Sequence, residues 1–577
     1  MGPFRIGINM AGAISAGAYT AGVLDFMIQA LDQWHEAKAR GDLVPLHDVS
    51  IEVMAGASAG GMCAAIGSVA LQEQFPPVTA VDPPGDQSAN KLYSSWVERI
   101  DISSLLKTED LKDDAPVVSL LDSTVLPQIA QFALTPGARR ARKYISPNLT
   151  LFLTLTNLRG TVYNIDPANN GTFEEQIAYY ADVLQFETVQ KAGDNPKNIL
   201  AKPLPLAPAN ADAEWQLLQD TALATGAFPL MLAPRILTRD LTDYTKKLWD
   251  FPNPDPKCVP QNPADPASPK VCDCEIQTTV PPNFGQGGSI PAQIKTVNVD
   301  GGATNNNPFE MARRFLASID PKPSSGHNER DPLRADRAVV TIAPFPGQAS
   351  FNPAYDVNES RKLFKVIGAL VDALISQSRF LGQSISLLKD NDSFSRFVIA
   401  PSDDKAGPGQ PALMSSCLGA FGGFVSKKFR QRDFQLGRRN CQRFLQQHFV
   451  LDAANPIIKS GLSADPASLI RNFKSADGLA SNRPAGAVYI PIIPLCGTAA
   501  VPIDHPGRPT VPESTVKDLS GRAADRVSAV VKSVVAQSSG LVRVGIAFAV
   551  FLFKGKIKDA IQEYLTNGLG PTVEKGK

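Results

Sequence analysis

Histidine and cysteine are both scarce in this chain of 577 residues, which has 5 His and 7 Cys. None of the histidines lies in a glycine-rich turn at the end of a predicted strand, so the sequence gives no support for a Ser-His-Asp triad. They are His35, His47, His327, His448 and His505. The low, odd number of cysteines fits a reducing compartment, and the alternative is a periplasmic or secreted protein with a few disulfides.

Three of the cysteines, Cys258, Cys272 and Cys274, fall in one proline-rich segment. A C-x-C pair with one distant cysteine and no nearby histidine does not have the usual four-ligand spacing of a zinc site. We therefore predict no metal and no other cofactor.

Neither sign of charge is in excess, because 57 Lys and Arg balance 56 Asp and Glu to a net charge of +1. Nothing in this balance favours a nucleic-acid partner, and we predict none.

The chain also has no apolar run of the ~20 residues that span a bilayer. Its most apolar stretch, Val544 to Phe553, is about half that long and is followed by lysines, which is typical of a buried core helix or of a helix at a membrane surface. The amino terminus does not have the charged start and unbroken apolar block of a signal peptide. We expect a cytoplasmic protein with peripheral contact to a membrane.

What the sequence does contain is a repeated strand, turn and helix pattern near the amino terminus. Phe4 to Asn9 reads as a buried strand, and after a glycine-rich turn a helix is predicted from Ala18 through Trp34. The pattern returns with a strand at Ile51 to Ala55, a tight turn and a helix at Gly61 to Leu71. Such alternation predicts an α/β fold with a mostly parallel central sheet covered on both faces.

Further apolar segments predict four more strands, and the composition divides the chain in two. The strand candidates are Leu149 to Thr156, Ile294 to Val299, Ala338 to Ala343 and Arg396 to Ala400. We predict an α/β domain over residues 1–350, with insertions at about 75–148 and 240–292, and a mainly helical region over 351–577. Segments that look like insertions interrupt the α/β core at Phe75 to Gly85, at Lys202 to Ala211 and at the proline-rich stretch Phe251 to Gly288. Helical periodicity marks Asp356 to Lys389, Phe434 to Phe449 and the residues after Ser514.

The clearest chemical motif is Gly56-x-Ser58-x-Gly60, between a predicted strand and a predicted helix. A sharp turn with small neighbours exposes the serine hydroxyl. The start of the following helix directs free N–H groups, beginning with that of Ala59, toward an anion forming near the serine. Ser58 is thus the candidate nucleophile.

Asp300-Gly301-Gly302 directly follows the strand candidate Ile294 to Val299. This position puts the Asp300 carboxylate at the carboxyl end of a strand, where α/β sheets carry their sites, and makes it the candidate base for Ser58. The alternative is a turn aspartate that binds its own backbone.

A third glycine-rich turn, Asn9 to Gly17, also joins a strand to a helix. Gly12 and Gly17 have the spacing of a phosphate-binding loop, but Ala18 and Tyr19 replace its Lys and Ser or Thr. What remains is a set of backbone N–H groups, from Gly12, Ala13 and Ile14, that can stabilise an oxyanion opposite the nucleophile.

In this order the three motifs resemble those of the patatin-like phospholipases, which have a Gly-rich oxyanion loop ending in G-V-L, a G-x-S-x-G turn and a D-G-[GA] turn. The match runs from residue 4 to about 345 and includes Gly22-Val23-Leu24 and a small-residue segment, Ala222 to Leu230. The resemblance implies the family's three-layer fold, a Ser58-Asp300 dyad, an acyl-enzyme intermediate and a lipid ester substrate. It leaves the last 230 or so residues unexplained.

This chain departs from the family at the oxyanion loop, where the usual G-G-G-x-[RK]-G is replaced by Gly12-Ala13-Ile14-Ser15-Ala16-Gly17. Two glycines and the basic residue are lost. Alanine and isoleucine still donate backbone N–H groups, but a positive φ at Ala13 or Ile14 would strain the loop.

Three functions remain open: a serine lipid acyl hydrolase of the phospholipase A or lysophospholipase type, a catalytically silent lipid-binding or scaffold protein, and an acyltransferase with the same dyad. The oligomeric state is not predicted. Two basic clusters are candidates for contact with anionic lipid. One is Arg139, Arg140, Arg142 and Lys143, and the other is Lys427, Lys428, Arg430, Arg432, Arg438, Arg439 and Arg443.

Overall fold

The computed structural model describes most of the chain. The described residues are 2–111, 116–165, 175–206, 213–253, 255–262, 265–272, 275–284, 291–319, 328–345, 356–361, 366, 369, 373, 376–378, 393–407, 410–475, 486–536, 558–559 and 561–574.

The strands of this part of the chain are, in order, β1 (Phe4–Met10), β2 (Val49–Gly56), β3 (Ile145–Ile165), β4 (Glu175–Val189), β5 (Ala201–Pro205), β6 (Arg235–Asp240), β7 (Leu248–Pro252), β8 (Cys258–Asn262), β9 (Asp265–Cys272), β10 (Glu275–Thr279), β11 (Gln293–Asp300), β12 (Arg337–Ile342), β13 (Arg396–Ile399), β14 (Val450–Asp452), β15 (Tyr489–Pro491), β16 (Val511–Pro512) and β17 (Val573–Glu574).

Helices of eight residues or more are α1 (Gly17–Arg40), α2 (Ala59–Ala70), α3 (Val125–Leu134), α4 (Ala213–Thr225), α5 (Phe309–Ser318), α6 (Lys427–Gln447), α7 (Pro466–Phe473) and α8 (Glu513–Ala536). Residues 561–569 are also helical. Shorter helices are Lys91–Tyr93, Ile102–Leu105, Thr242–Thr245, Val357–Ser360, Gly422–Val425 and Pro456–Gly461, and Ser94–Arg99 is a π-helix.

The central sheet has nine strands and is mostly parallel, as the sequence predicts. Its main path is β13-β12-β1-β2-β3-β11-β6, while β4 pairs with β3, and β5 with β4. Strands β1, β2, β12, β13 and the first part of β3 pair in parallel. Strands β4, β6 and β11 introduce antiparallel pairs.

One feature of the register places the candidate site. Strand β2 pairs with β3 as far as Gly56, which lies opposite Leu153. Strand β11 runs antiparallel to β3 and ends with Asp300 opposite Leu155. Since β4 occupies the other edge of β3 at these residues, the carboxyl ends of β2 and β11 meet head to head along one edge of β3.

Successive residues of a strand point to opposite faces of the sheet, and helices cover both faces. On one face Val53 packs with Phe152, Val339 and the apolar side of α5. On the other face Met54 belongs to a larger core. That core takes in α1, α2, α4 and α6 and includes buried residues from Phe4 to Ala499.

Helices α1 and α6 approach each other closely. A Cβ on Gly22 would lie 2.0 Å from the carbonyl oxygen of Phe434, and one on Gly437 would lie 2.2 Å from that of Tyr19. Gly22, the first residue of the G-V-L motif, thus allows α6 to pack on α1. Among the described residues, Ile14–Arg40 is the one helix both long and apolar enough to cross a membrane, and 94% of its most apolar window is buried in the fold.

The six strand predictions correspond to β1, β2, β3, β11, β12 and β13. Lys202 to Ala211, predicted as an insertion, is corrected: its first residues form the edge strand β5, where Pro203 and Pro205 are tolerated because an edge strand leaves N–H positions unpaired. The segment Phe251 to Gly288 contains β8, β9 and β10. Strand β8 pairs antiparallel with β9, and β10 pairs antiparallel with β7. The division at residue 350 stays a prediction, and most of Asp356 to Lys389 lies outside the described residues.

Candidate active site

Ser58 stands at the sharp turn between β2 and α2, in a conformation that side chains seldom adopt. Its φ is 54° and its ψ is −132°, and it caps the amino terminus of α2. This geometry turns the hydroxyl away from both elements, as a nucleophile at a strand-to-helix turn requires. The residue is only 6% exposed.

The glycines of the three motifs all lie at close approaches. A Cβ on any of them would come within 2.7 Å of another atom. They are Gly12, Gly17, Gly56, Gly60, Gly301 and Gly302. At Gly60, for example, the added carbon would lie 2.2 Å from the Met10 carbonyl oxygen, so the nucleophile turn and the end of β1 can pack together only without a side chain there.

The Ser58 hydroxyl donates a hydrogen bond of 2.6 Å to Oδ2 of Asp300. The other carboxylate oxygen, Oδ1, accepts from the Gly302 N–H at 2.6 Å. The Asp300 carboxylate therefore caps its own turn and also contacts the Ser58 hydroxyl, so its role as a base stays a prediction. No described histidine lines the site, and His327 lies outside the described residues.

Burial raises the pKa of Asp300 from 3.8 to about 7, although the hydrogen bonds from Ser58 and Gly302 oppose the rise. Asp300 is 3% exposed, and desolvation disfavours the charged carboxylate. A carboxylate that titrates near neutral pH can both take up and release a proton, which a general base for a hydroxyl must do.

The small-residue segment Ala222 to Leu230 supports both members of the pair. The Ser58 N–H donates to Oγ1 of Thr225 at 3.0 Å, and the Asp300 N–H donates to the Ala227 carbonyl at 2.9 Å. Because the two contacts are two residues apart on one segment, it fixes the spacing between nucleophile and base. The small residues of this segment do not by themselves indicate that it holds Ser58 and Asp300 in place.

The oxyanion loop, residues 11–16, lies against the nucleophile, since a Cβ on Gly12 would be 3.1 Å from Cβ of Ser58. Ile14 has φ 45°, whereas Ala13 has an ordinary φ of −151°. Of the two residues at which the sequence predicted possible strain, Ile14 is the strained one. A positive φ at this β-branched residue costs roughly 1–2 kcal/mol of conformational free energy.

One predicted oxyanion donor is corrected. The Gly12 N–H donates to the Asn306 carbonyl at 3.1 Å and so holds the loop in place. Within the described part of the chain the N–H groups of Ala13, Ile14 and Ala59 donate to no protein acceptor. These three remain able to bind an oxyanion.

A pocket that is partly open to solvent lies beside Ser58. Apart from the Ser58 hydroxyl its lining is apolar or aromatic, which suits a hydrocarbon chain and no charged group. The lining residues are Ile14, Ser58, Ala59, Met62, Trp96, Ile100, Leu105, Leu126, Leu223, Gly226, Phe228, Leu232, Phe421 and Phe424. Phe421 and Phe424 come from the carboxyl-terminal region, whose part in the site the motifs did not indicate.

Lipid contact through the two basic clusters stays a prediction, because each cluster has both exposed and buried members. The exposed ones are Arg139, Lys143, Lys427 and Lys428. Arg142 is buried and donates to Asp32 and to backbone carbonyls. In the second cluster Arg430, Arg432 and Arg438 are buried as well. Their partners are Asp101, Asp403 and Asp25, which all lie far away in sequence.

The structure gives no support for a metal at the cysteine-rich segment, because Cys258 is disulfide-bonded and offers no thiolate. A disulfide is also more typical of an oxidising compartment than of the reducing one expected from the cysteine count. Among the described residues, Asp403, Asp404 and His505 bring three potential metal ligands together. Arg432 and Arg508 both contact Asp403, and their positive charges oppose the binding of a cation.

Comparison with other proteins gives a relative but no activity. No known protein-family model matches the chain. The chain is 34% identical to an uncharacterized protein, y4iI, from Sinorhizobium fredii, over 601 alignment positions that cover 97% of this chain and 80% of the relative. The chain therefore belongs to the same protein family as y4iI.

Proposed function

We propose that this protein is a serine lipid acyl hydrolase of the patatin-like type, with Ser58 as nucleophile and Asp300 as general base. The observation that carries the proposal is the 2.6 Å hydrogen bond between the Ser58 hydroxyl and Asp300. The head-to-head meeting of β2 and β11 and the raised pKa of Asp300 support it. The family's three-layer arrangement is part of the same proposal.

In the proposed reaction Asp300 takes the proton from Ser58 Oγ as the oxygen attacks the carbonyl carbon of an ester. The N–H groups of Ala13, Ile14 and Ala59 stabilise the resulting oxyanion. Asp300 then returns the proton to the leaving alcohol, which leaves an acyl group on Ser58. Asp300 then takes a proton from a water molecule as this water attacks the acyl-enzyme, and it returns the proton to Ser58 Oγ as the carboxylic acid leaves.

The substrate class follows from the pocket. A lining without charged groups beside the nucleophile favours the acyl chain of a lipid ester over a polar acid. The alcohol part of the ester, including any head group, would lie outside this pocket.

We further propose that the pocket rim is the place of peripheral contact with a lipid surface. Leu230 is 63% exposed and has φ 67°. Its carbonyl accepts a hydrogen bond from the N–H of Leu120. The side chains of Leu120 and Val118 are also exposed. Leu230 follows Phe228 and precedes Leu232, two residues that line the pocket. An apolar rim next to an acyl pocket favours a lipid surface as its partner.

The proposal is tested by labelling the purified protein with a fluorophosphonate and by product analysis on a lipid panel. We expect labelling of the wild type, none of Ser58→Ala, and a rate lower by about 10² to 10⁴ for Asp300→Asn. Ser68→Ala is the matched control, because it removes another buried serine hydroxyl from α2, one that donates to the Ala65 carbonyl.

The same panel separates the three functions. Fatty acid release supports hydrolysis, and transfer to an added lysolipid or alcohol acceptor supports an acyltransferase. A folded wild type that is not labelled and releases no product from any lipid contradicts the proposal and leaves a silent lipid-binding protein.

A further inference from the structure

The strained torsion of Ile14 lies beside a polar contact that joins the oxyanion loop to the carboxyl-terminal region. Ser15, which follows Ile14, is fully buried. Its hydroxyl donates to the Ala420 carbonyl at 2.5 Å and accepts from the Gly423 N–H at 3.0 Å. Its own N–H donates to the same Ala420 carbonyl at 3.2 Å. Both backbone and side chain of Ser15 are therefore tied to one segment some 400 residues away.

That segment, residues 413–425, is named here the strap. Leu418, Gly419 and Ala420 all have positive φ, at 53°, 60° and 75°. Two of the three are not glycine, so the strap adopts a shape that its own residues do not favour. Contacts outside the strap must maintain it.

Helix α6 supplies those contacts through a buried carboxylate. Asp433 accepts from the N–H groups of Met414 and Ser415 at 3.0 and 2.8 Å, and from the Ser415 hydroxyl at 2.6 Å. Because α6 itself packs closely on α1, the strap is fixed at one end to the core and at the other to Ser15. The oxyanion loop is bounded by this contact on one side and by the Gly12 to Asn306 hydrogen bond on the other.

We propose that Ser15 is a positioning residue, which acts with the strap to hold Ile14 at positive φ and so aims the backbone N–H groups of Ala13 and Ile14 at the oxyanion. The contact does for this chain what extra glycines do in loops that adopt such torsions unaided. The inference rests on the proposed function, since its readout is the rate of acyl transfer to Ser58. Ser15 itself does not touch the substrate.

The test is a double-mutant cycle between Ser15→Ala and Ile14→Gly, measured on a water-soluble butyrate ester. Glycine adopts positive φ without strain, so the loop no longer needs the strap when residue 14 is glycine. We expect Ser15→Ala to lower kcat about 10-fold with KM nearly unchanged, because oxyanion contacts strengthen in the transition state. In the Ile14→Gly background the same substitution should lower kcat less than 3-fold.

Ser520→Ala is the matched control, since it removes another buried serine hydroxyl, one that lies in α8 outside the strap and donates to the Lys517 carbonyl. We expect it to lower the unfolding temperature and to leave kcat unchanged. Ser15→Cys, with a weak donor of similar size, serves if the alanine variant does not fold; kcat between those of wild type and Ser15→Ala is expected.

An equal loss of kcat from Ser15→Ala in both backgrounds overturns the inference, as does an equal loss from Ser520→Ala. Either result can occur while the wild type still shows activity that depends on Ser58, in which case the proposed function stands alone. A wild type without such activity contradicts the proposed function first.

Discussion

The nucleophile turn and the oxyanion loop both hold a non-glycine residue at positive φ, but they do so by different means. Ser58, at 54°, is flanked by Gly56 and Gly60, which let the turn pack against its immediate surroundings. Ile14, at 45°, has a glycine two residues before it, Gly12, but none at the matching position after it, and it lies between the contacts of Gly12 to Asn306 and of Ser15 to Ala420.

The difference is one of sequence distance. A turn that depends on its own glycines is visible as a five-residue motif, and its conformation survives changes elsewhere. A loop that depends on residues hundreds of positions away leaves no local signal and is sensitive to distant substitutions. The predictions below test whether the two regions respond as differently as this comparison implies.

The largest effect is expected from breaking the nucleophile turn with Gly60→Ala. The added carbon meets the Met10 carbonyl oxygen, which is backbone and cannot move aside cheaply. We expect no fluorophosphonate labelling and a free energy of unfolding lower by about 3 kcal/mol or more, measured by chemical denaturation.

Gly521→Ala provides the contrast, because nothing lies within 4 Å of the added carbon in α8. That variant should gain roughly 0.5–1 kcal/mol from helix propensity and keep full labelling. Equal stability of the two variants would show that the close approach at Gly60 is unimportant.

The protonation of Asp300 offers a second contrast, because residues 11–16 of the oxyanion loop carry no titratable side chain. Because the base must be unprotonated, the rate of labelling should rise through pH 7 and level off above it. Ser15→Ala should lower this curve without moving its midpoint, whereas Asp300→Asn should remove the dependence. A midpoint near pH 4 would contradict the raised pKa.

The Asp300 carboxyl also makes stability depend on pH, but in the opposite direction to the labelling rate. The pKa of Asp300 in the folded protein lies above its unfolded value of about 3.9, so folding favours the protonated form. Its stabilising contribution is full below about pH 4 and is lost as the pH rises through 7. At pH 8 Asp300→Asn should therefore unfold at a higher temperature than the wild type, and at pH 4 this advantage should disappear.

A smaller effect is expected from Thr225→Val, which removes the acceptor of the Ser58 N–H but keeps the shape of the side chain. The unpaired buried N–H should cost about 1–3 kcal/mol of stability. The labelling rate should fall about 10-fold, since the turn loses one of its supports. Thr221→Val, which removes a hydroxyl bonded within the same helix, should leave the rate unchanged.

The sequence predicted the parts of this molecule whose causes are local. Six strands, the nucleophile and its base were recognisable because each is a short run of residues with its own pattern. Strand β6 was missed because one of its inward residues, Arg239, is charged and is buried only through ion pairs with Asp182 and Asp243. Such partners cannot be read from β6 itself.

Three basic residues of α6 were misread for the same reason. A helix with Arg430, Arg432 and Arg438 looks like a solvated or lipid-facing surface, yet carboxylates from other segments neutralise these side chains in the interior. The commitment of the Gly12 N–H to Asn306 and the docking of the strap on Ser15 are likewise tertiary facts. Sequence alone located the proposed catalytic pair but not the elements that orient the residues around it.

The smallest effect concerns Leu230, another non-glycine residue at positive φ, which neither neighbouring glycines nor a buried strap support. Asparagine tolerates this conformation better than leucine, and Leu230 is mostly exposed, so Leu230→Asn should raise the free energy of unfolding by about 0.5–1 kcal/mol. If the apolar rim contacts lipid, the more stable variant should be several-fold less active on phosphatidylcholine vesicles at unchanged activity on a soluble butyrate ester. Ile199→Asn, at an even more exposed site between β4 and β5, controls for loss of surface hydrophobicity. Contact with a lipid surface then explains why a strained leucine occupies this position although it lowers stability. Equal vesicle activity of the two variants would contradict a role of Leu230 in lipid contact.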